Sequence, residues 1–84
     1  MHEYYLAKSV LDSVLEKISL FKDCQKITFI KLKIGKLKMV TAELFRETFN
    51  RIAKGTLCEG ACLDVEIVEG DSLIVENIEG DFKD

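Results

Sequence analysis

The spacing of apolar residues changes along this chain, and each change calls for a different element. From Ala7 to Phe21 the apolar positions recur every three or four residues, as Ala7, Val10, Leu11, Val14, Ile18 and Phe21. Lys8, Asp12, Glu16 and Lys17 fill much of the other side. That period predicts an amphipathic helix from about residue 4 to about residue 21. From Lys26 to Leu37 the period shortens to two: Ile30, Leu32 and Ile34 alternate with Lys31 and Lys33. A half-buried strand with a lysine face is expected there, and the lysines read more simply as a solvated face than as an anion site. Gly35 near its end suggests a bend or a close approach of another backbone.

The helical period then returns. Leu44, Phe45, Thr48, Phe49 and Ile52 form one stripe, with Arg46, Glu47, Asn50 and Arg51 opposite. Thr41 is placed to cap this helix, Glu43 suits its positive end, and Gly55 is the expected stop. Two further runs have period two or are continuously apolar, Leu63 to Ile67 and Leu73 to Ile78, joined by Glu69-Gly70-Asp71. So short a link favours an antiparallel hairpin, because a parallel pair needs a longer crossover. The stretch from Lys26 to Val68, by contrast, is long enough for a parallel crossover. The expected fold class is α+β: two helices packed on a small three-stranded mixed sheet, in the order α-β-α-β-β, with the last two strands an antiparallel hairpin.

Composition narrows the function classes. With 84 residues the chain supports one domain, and 48% hydrophobic residues can supply a core. Fifteen acids against twelve bases leave a net charge of −3, which gives no support to nucleic-acid binding. No apolar run is long enough for a transmembrane helix, and His2 and Glu3 do not open a secretory signal. Three cysteines, Cys24, Cys58 and Cys62, cannot close a disulfide framework, so reduced thiols in the cytoplasm are expected.

Candidate chemistry is concentrated at the amino terminus. There is one histidine, His2, and neither a phosphate loop nor a clear nucleophile–base pair. Cys58-x-x-x-Cys62 supplies at best half of a structural zinc site and reads more simply as two free thiols. The Met1 amine and the His2 amide nitrogen can close a five-membered chelate, and the His2 imidazole adds a third nitrogen. Such donors suit Ni(II) or Cu(II) in a square-planar arrangement, with copper the tighter on intrinsic affinity.

Met1-His2-Glu3-Tyr4 followed by an amphipathic helix resembles the start of the HypA family of nickel-delivery factors. The resemblance continues through Ile30-Lys31-Leu32-Lys33-Ile34-Gly35-Lys36-Leu37, Leu44 to Phe49, and Ala53-Lys54-Gly55-Thr56. Glu59-Gly60-Ala61, the Leu63 to Ile67 run and Gly70 to Glu79 complete it in the same order. It implies a nickel site at Met1, His2 and Glu3, built from the amine, the imidazole and backbone nitrogens, with Met1 retained. It also implies a carrier without catalysis of its own, delivering Ni(II) to the [NiFe]-hydrogenase large-subunit precursor with a HypB-type GTPase. Some relatives serve urease.

The chain departs from that family in two places. The family usually carries a zinc lobe between the last two strands, held by two Cys-x-x-Cys pairs, and this chain has neither pair. No zinc is therefore expected, and the join falls within Asp64 to Gly70, so that 1–84 forms one nickel-binding domain. A natural relative without the lobe and a deliberate excision both fit, and the closeness of the flanks to the family pattern favours excision. Excision makes physical sense if the last two strands are neighbours. Thr41-Ala42 also replaces an acidic residue and proline common at that helix start. The rival reading is an interaction module without metal delivery, docking HypB or another copy of itself around Tyr4, Tyr5 and Lys8. Self-association through an exposed edge strand is plausible on the same grounds.

Overall fold

A computed structural model describes residues 2–83, with the backbone alone of His2. Met1, and with it the first donor of the expected metal site, lies outside the described residues. The order of elements is α1 (His2–Ile18), β1 (Cys24–Gly35), a single 3-10 turn (Lys36–Lys38), α2 (Ala42–Ile52), β2 (Cys62–Val68) and β3 (Leu73–Phe82). The expected sequence of two helices and three strands is therefore present.

Helix α1 starts and ends earlier than its apolar spacing suggests. Past Ile18 the chain turns tightly, with the Phe21 N–H donating to the Ile18 carbonyl and the Cys24 N–H to the Phe21 carbonyl, at 2.9 and 3.2 Å. The Ser19 hydroxyl donates to the Glu16 carbonyl at 2.6 Å, a local bond of the kind by which serine competes with the helix. Phe21 is consequently not on the buried stripe: it is 57% exposed and meets Phe82 edge-on. In α2 the cap is as expected, with Thr41 Oγ1 accepting from the Leu44 N–H at 3.1 Å. Phe45 and Phe49 are fully buried, whereas Leu44 lies at the rim of the stripe and is exposed.

The sheet has the order β2-β1-β3, with β1 parallel to β2 and antiparallel to β3. The expected hairpin of the last two strands is thus corrected: β1 lies between them. The Glu69–Ser72 link passes over the end of β1 instead of folding back beside β2. It is held there by the Gly35 N–H donating to the Ser72 carbonyl and the Leu37 N–H to the Gly70 carbonyl, at 2.6 and 2.9 Å. Lys36–Glu69 and Lys38–Asp71 ion pairs flank the crossing. Reach does not decide between the two arrangements, since about four extended residues span ~13 Å and two strand spacings are ~10 Å. Charge and burial do. A hairpin would set the acids of β2 beside Glu76 and Glu79, and like charges on adjacent strands are destabilising. Placing β1 in the centre buries Ile27, Ile30, Leu32 and Ile34 and puts its lysines between the acidic strands. Excision of a lobe between neighbouring strands therefore does not describe this sheet, because β2 and β3 are not neighbours.

Both helices cover one face of the sheet, and one continuous core joins Ala7, Val10 and Val14 of α1, Phe45 and Phe49 of α2, and the apolar row of β1. Strand alternation is reset three times by extra residues, first between Cys24 and Lys26. Register against β3 shifts between Ile27 and Phe29, which returns Ile27 to the core side. It shifts again between Lys31 and Leu32, where Glu76 is the extra residue on β3.

Candidate metal centre

Helix α1 begins at His2, so the His2 and Glu3 backbone nitrogens fall in its first turn. The first four N–H groups of a helix have no carbonyl acceptor within it. These two amides can therefore be given to a metal without breaking a helical hydrogen bond. Glu3, half-buried, is the acidic residue of that turn. The electrostatics constrain the donor set further. A helix N-terminus carries partial positive charge and disfavours a bare cation. A cation held there needs donors that bring negative charge, and deprotonated amide nitrogens and the Glu3 carboxylate are those available.

The side chains further along do not form a competing site. Among the described residues no three of His, Cys, Asp and Glu gather in a group able to hold a metal ion. Cys58 is buried in the core while Cys62 is exposed on β2, so the C-x-x-x-C pair diverges, and all three thiols are free. Burial, with Cys24 nearby as a smaller cause, pushes the Cys58 thiol from 9.0 up to about 11. A raised thiol value means that the folded state holds its proton longer than the unfolded state does. This stabilisation is complete below pH 9.0 and is lost as pH rises towards about 11. Urea midpoints measured across that window should fall more steeply for the parent than for Cys58→Ala; parallel slopes would refute the assignment.

The lysine face has a definite partner. Lys31 and Lys33 reach Glu76 at 3.4 and 2.9 Å, made possible by the bulge that turns Glu76 towards them. The hydrogen bond from Lys33 holds the Glu76 carboxyl below its ordinary value. The row is thus a half-exposed strip tied to Glu76 and not an anion site. At the surface considered for docking, Tyr4 and Tyr5 pack edge-to-face at 5.6 Å, Tyr5 is 71% exposed, and Lys8 pairs with Asp12 at 2.8 Å. Gln25, Lys26, Thr56, Leu57, Glu59 and Gly60 line an open depression of about 380 Å³. Its carboxylate, Glu59, is engaged by the Gly55 N–H at 2.8 Å.

Sequence reasoning named Met1, His2 and Glu3. The structure places Glu3 and the His2 backbone in the first turn of α1, and the His2 side chain is outside what it describes.

Residues 1–79 match the family model described as hydrogenase/urease nickel incorporation, metallochaperone, HypA. A hydrogenase maturation factor HypA of Methanocaldococcus jannaschii is 36% identical over 73 residues, covering 82% of this chain and 59% of that protein. The corresponding factor of Chlorobaculum tepidum is 41% identical over 70 residues, covering 83% of this chain and 61% of that protein. The chain thus spans about three fifths of the length of these relatives. The solution structure of the Ni metallochaperone HypA from Helicobacter pylori shares the fold, with a TM-score of 0.67 at 22% identity, over 92% of this chain and 72% of that one. On the extent of the family match and the identity to these relatives, the chain belongs to the HypA family of nickel-incorporation metallochaperones for hydrogenase and urease.

Proposed function

We propose that this chain binds Ni(II) at its amino terminus and carries it for [NiFe]-hydrogenase maturation in the cytoplasm, without catalysing a reaction. The Met1 amine, the His2 amide and imidazole, and the Glu3 amide nitrogen are the donors. A HypB-type GTPase and the hydrogenase large-subunit precursor are the partners, with urease factors as the alternative recipients. In the same reading 1–84 is one nickel-binding unit that needs no zinc, the join of the missing lobe falling within Asp64 to Gly70.

The observation that carries the reading is the start of α1 at His2, which leaves the His2 and Glu3 amides without helical acceptors. Closing a five-membered ring through successive main-chain nitrogens needs ψ near zero, whereas helical residues sit near about −42°. Loading therefore loosens the first turn and stops there, because beyond Glu3 the donors are not needed. A nitrogen-rich donor set suits Ni(II), and a site at a chain end can exchange its ligands one at a time, which suits transfer.

Calorimetric titration of the untagged chain with Ni(II) tests this, run beside His2→Ala and beside a variant with one residue added before Met1. Both changes should weaken binding by at least the ~10–100-fold that loss of an outer-shell partner alone costs at a metal site. Glu3→Gln should have the smaller effect, since its backbone nitrogen remains. Binding by His2→Ala as tight as that of the parent would overturn the assignment.

A further inference from the structure

The two edges of the sheet differ. Along β3 the register against β1 shifts in three places, one of them the bulge at Glu76. Bulges twist an edge away from pairing. Strand β2 instead keeps unbroken parallel register with β1 from Cys62 to Val68. Its outer side is a regular, unpaired ladder of seven residues, of the kind that accepts another strand.

Each face of this edge carries groups whose partners are missing. On the solvent face, Asp64 and Glu66 lie directly across from Lys31 and Lys33. Both lysines turn to Glu76 instead, at 3.4 and 2.9 Å. Among the described residues neither Asp64 nor Glu66 has an ion-pair partner within 4.0 Å. On the helix side, Ile67 is 41% exposed. Arg46 Nε already donates to the Leu63 carbonyl at 3.2 Å, which leaves the ladder beyond that residue.

We infer that the β2 edge from Asp64 to Val68 is a docking site for an extended segment of a partner protein in which aliphatic residues alternate with lysine or arginine. Added as a strand, the segment sets its basic side chains against Asp64 and Glu66 and its aliphatic side chains beside Val65 and Ile67. The pattern is the one β1 presents on the other side of β2. A second copy paired through the same edge does not fit, because it would set acids against acids.

The test is a titration of the full chain, labelled with ¹⁵N, with a synthetic peptide alternating valine and lysine. Two control peptides carry glutamate for lysine, or N-methyl groups on alternate amides. Amide shifts should be confined to residues 64–68, and both controls should fail to bind. Asp64→Lys combined with Glu66→Lys should weaken binding on the order of tenfold, the sum expected of two exposed charge pairs turned repulsive. Glu79→Lys, a single charge reversal on β3, should leave affinity unchanged. Absence of binding, shifts on β3, binding that survives N-methylation or charge reversal, or equal weakening by Glu79→Lys would each overturn the proposal. The spectrum of each variant alone reports whether it is folded.

Discussion

Gly35→Ala is expected to destabilise the chain by about 3 kcal/mol or more, at or beyond the upper end of overpacking costs. The reason is not backbone conformation. Gly35 has φ −64° and ψ 136°, which any residue adopts. The obstacle is the link crossing above it: a Cβ here would lie 2.5 Å from the Gly70 carbonyl oxygen and 2.6 Å from the Asp71 nitrogen. Both are main-chain atoms, and the link is tied down on either side by the hydrogen bonds from Gly35 and Leu37. Relief requires lifting the link, which breaks those bonds and pulls β2 and β3 out of register at their joined ends. Gly55→Ala is the matched comparison. There φ is 81° with open space around the added methyl, so only the left-handed backbone penalty of about 1–2 kcal/mol applies. Urea denaturation of both variants, with hydrogen exchange at residues 69–72, distinguishes the two costs. An unchanged midpoint for Gly35→Ala would mean that the link does not cross there.

The close approach at Gly35 could be anticipated because glycine near a strand end has few other uses. The Thr41 cap and the Phe45–Phe49 face were likewise legible, since each depends on residues within one turn of helix. Strand order was not legible from length, because the Glu69–Ser72 link reaches a neighbour and a next neighbour equally well. The usable signal was charge: Lys31 and Lys33 alternate on one strand, while acids alternate on the other two, which favours the lysine strand in the middle. Bulges left no local trace, so the place of Ile27 in the core and the turn of Glu76 towards the lysines emerged only from cross-strand register. Phe21 was misplaced because helical spacing was extended through Ser19, where a side-chain bond competes with the helix. The candidate metal site was legible as chemistry, because its donors are a terminal amine, main-chain nitrogens and one imidazole. Packing leaves no mark on such a site.

Phe49→Ala should cost about 3–5 kcal/mol, the usual range for deleting a buried aromatic ring. A chain of this size has only on the order of 5 kcal/mol of stability, so the variant should keep about 0–2 kcal/mol and be partly unfolded near room temperature. Phe45 and Phe49 are both 0% exposed and lie stacked, with centroids 6.4 Å apart and planes 20° from parallel. They are the largest fully buried side chains and share one cluster with Val10 and Val14 of α1 and Ile30 of β1. Removing either ring opens a cavity between both helices and the sheet, and no nearby large side chain is free to fill it. Leu44 belongs to the same apolar stripe by spacing but is 49% exposed, so Leu44→Ala should cost no more than ~1 kcal/mol. Phe49→Leu, which keeps most of the volume, should lie between the two. The order of the three urea midpoints therefore reports the orientation of α2. If Leu44→Ala proved as damaging as Phe49→Ala, α2 would be rotated about its axis.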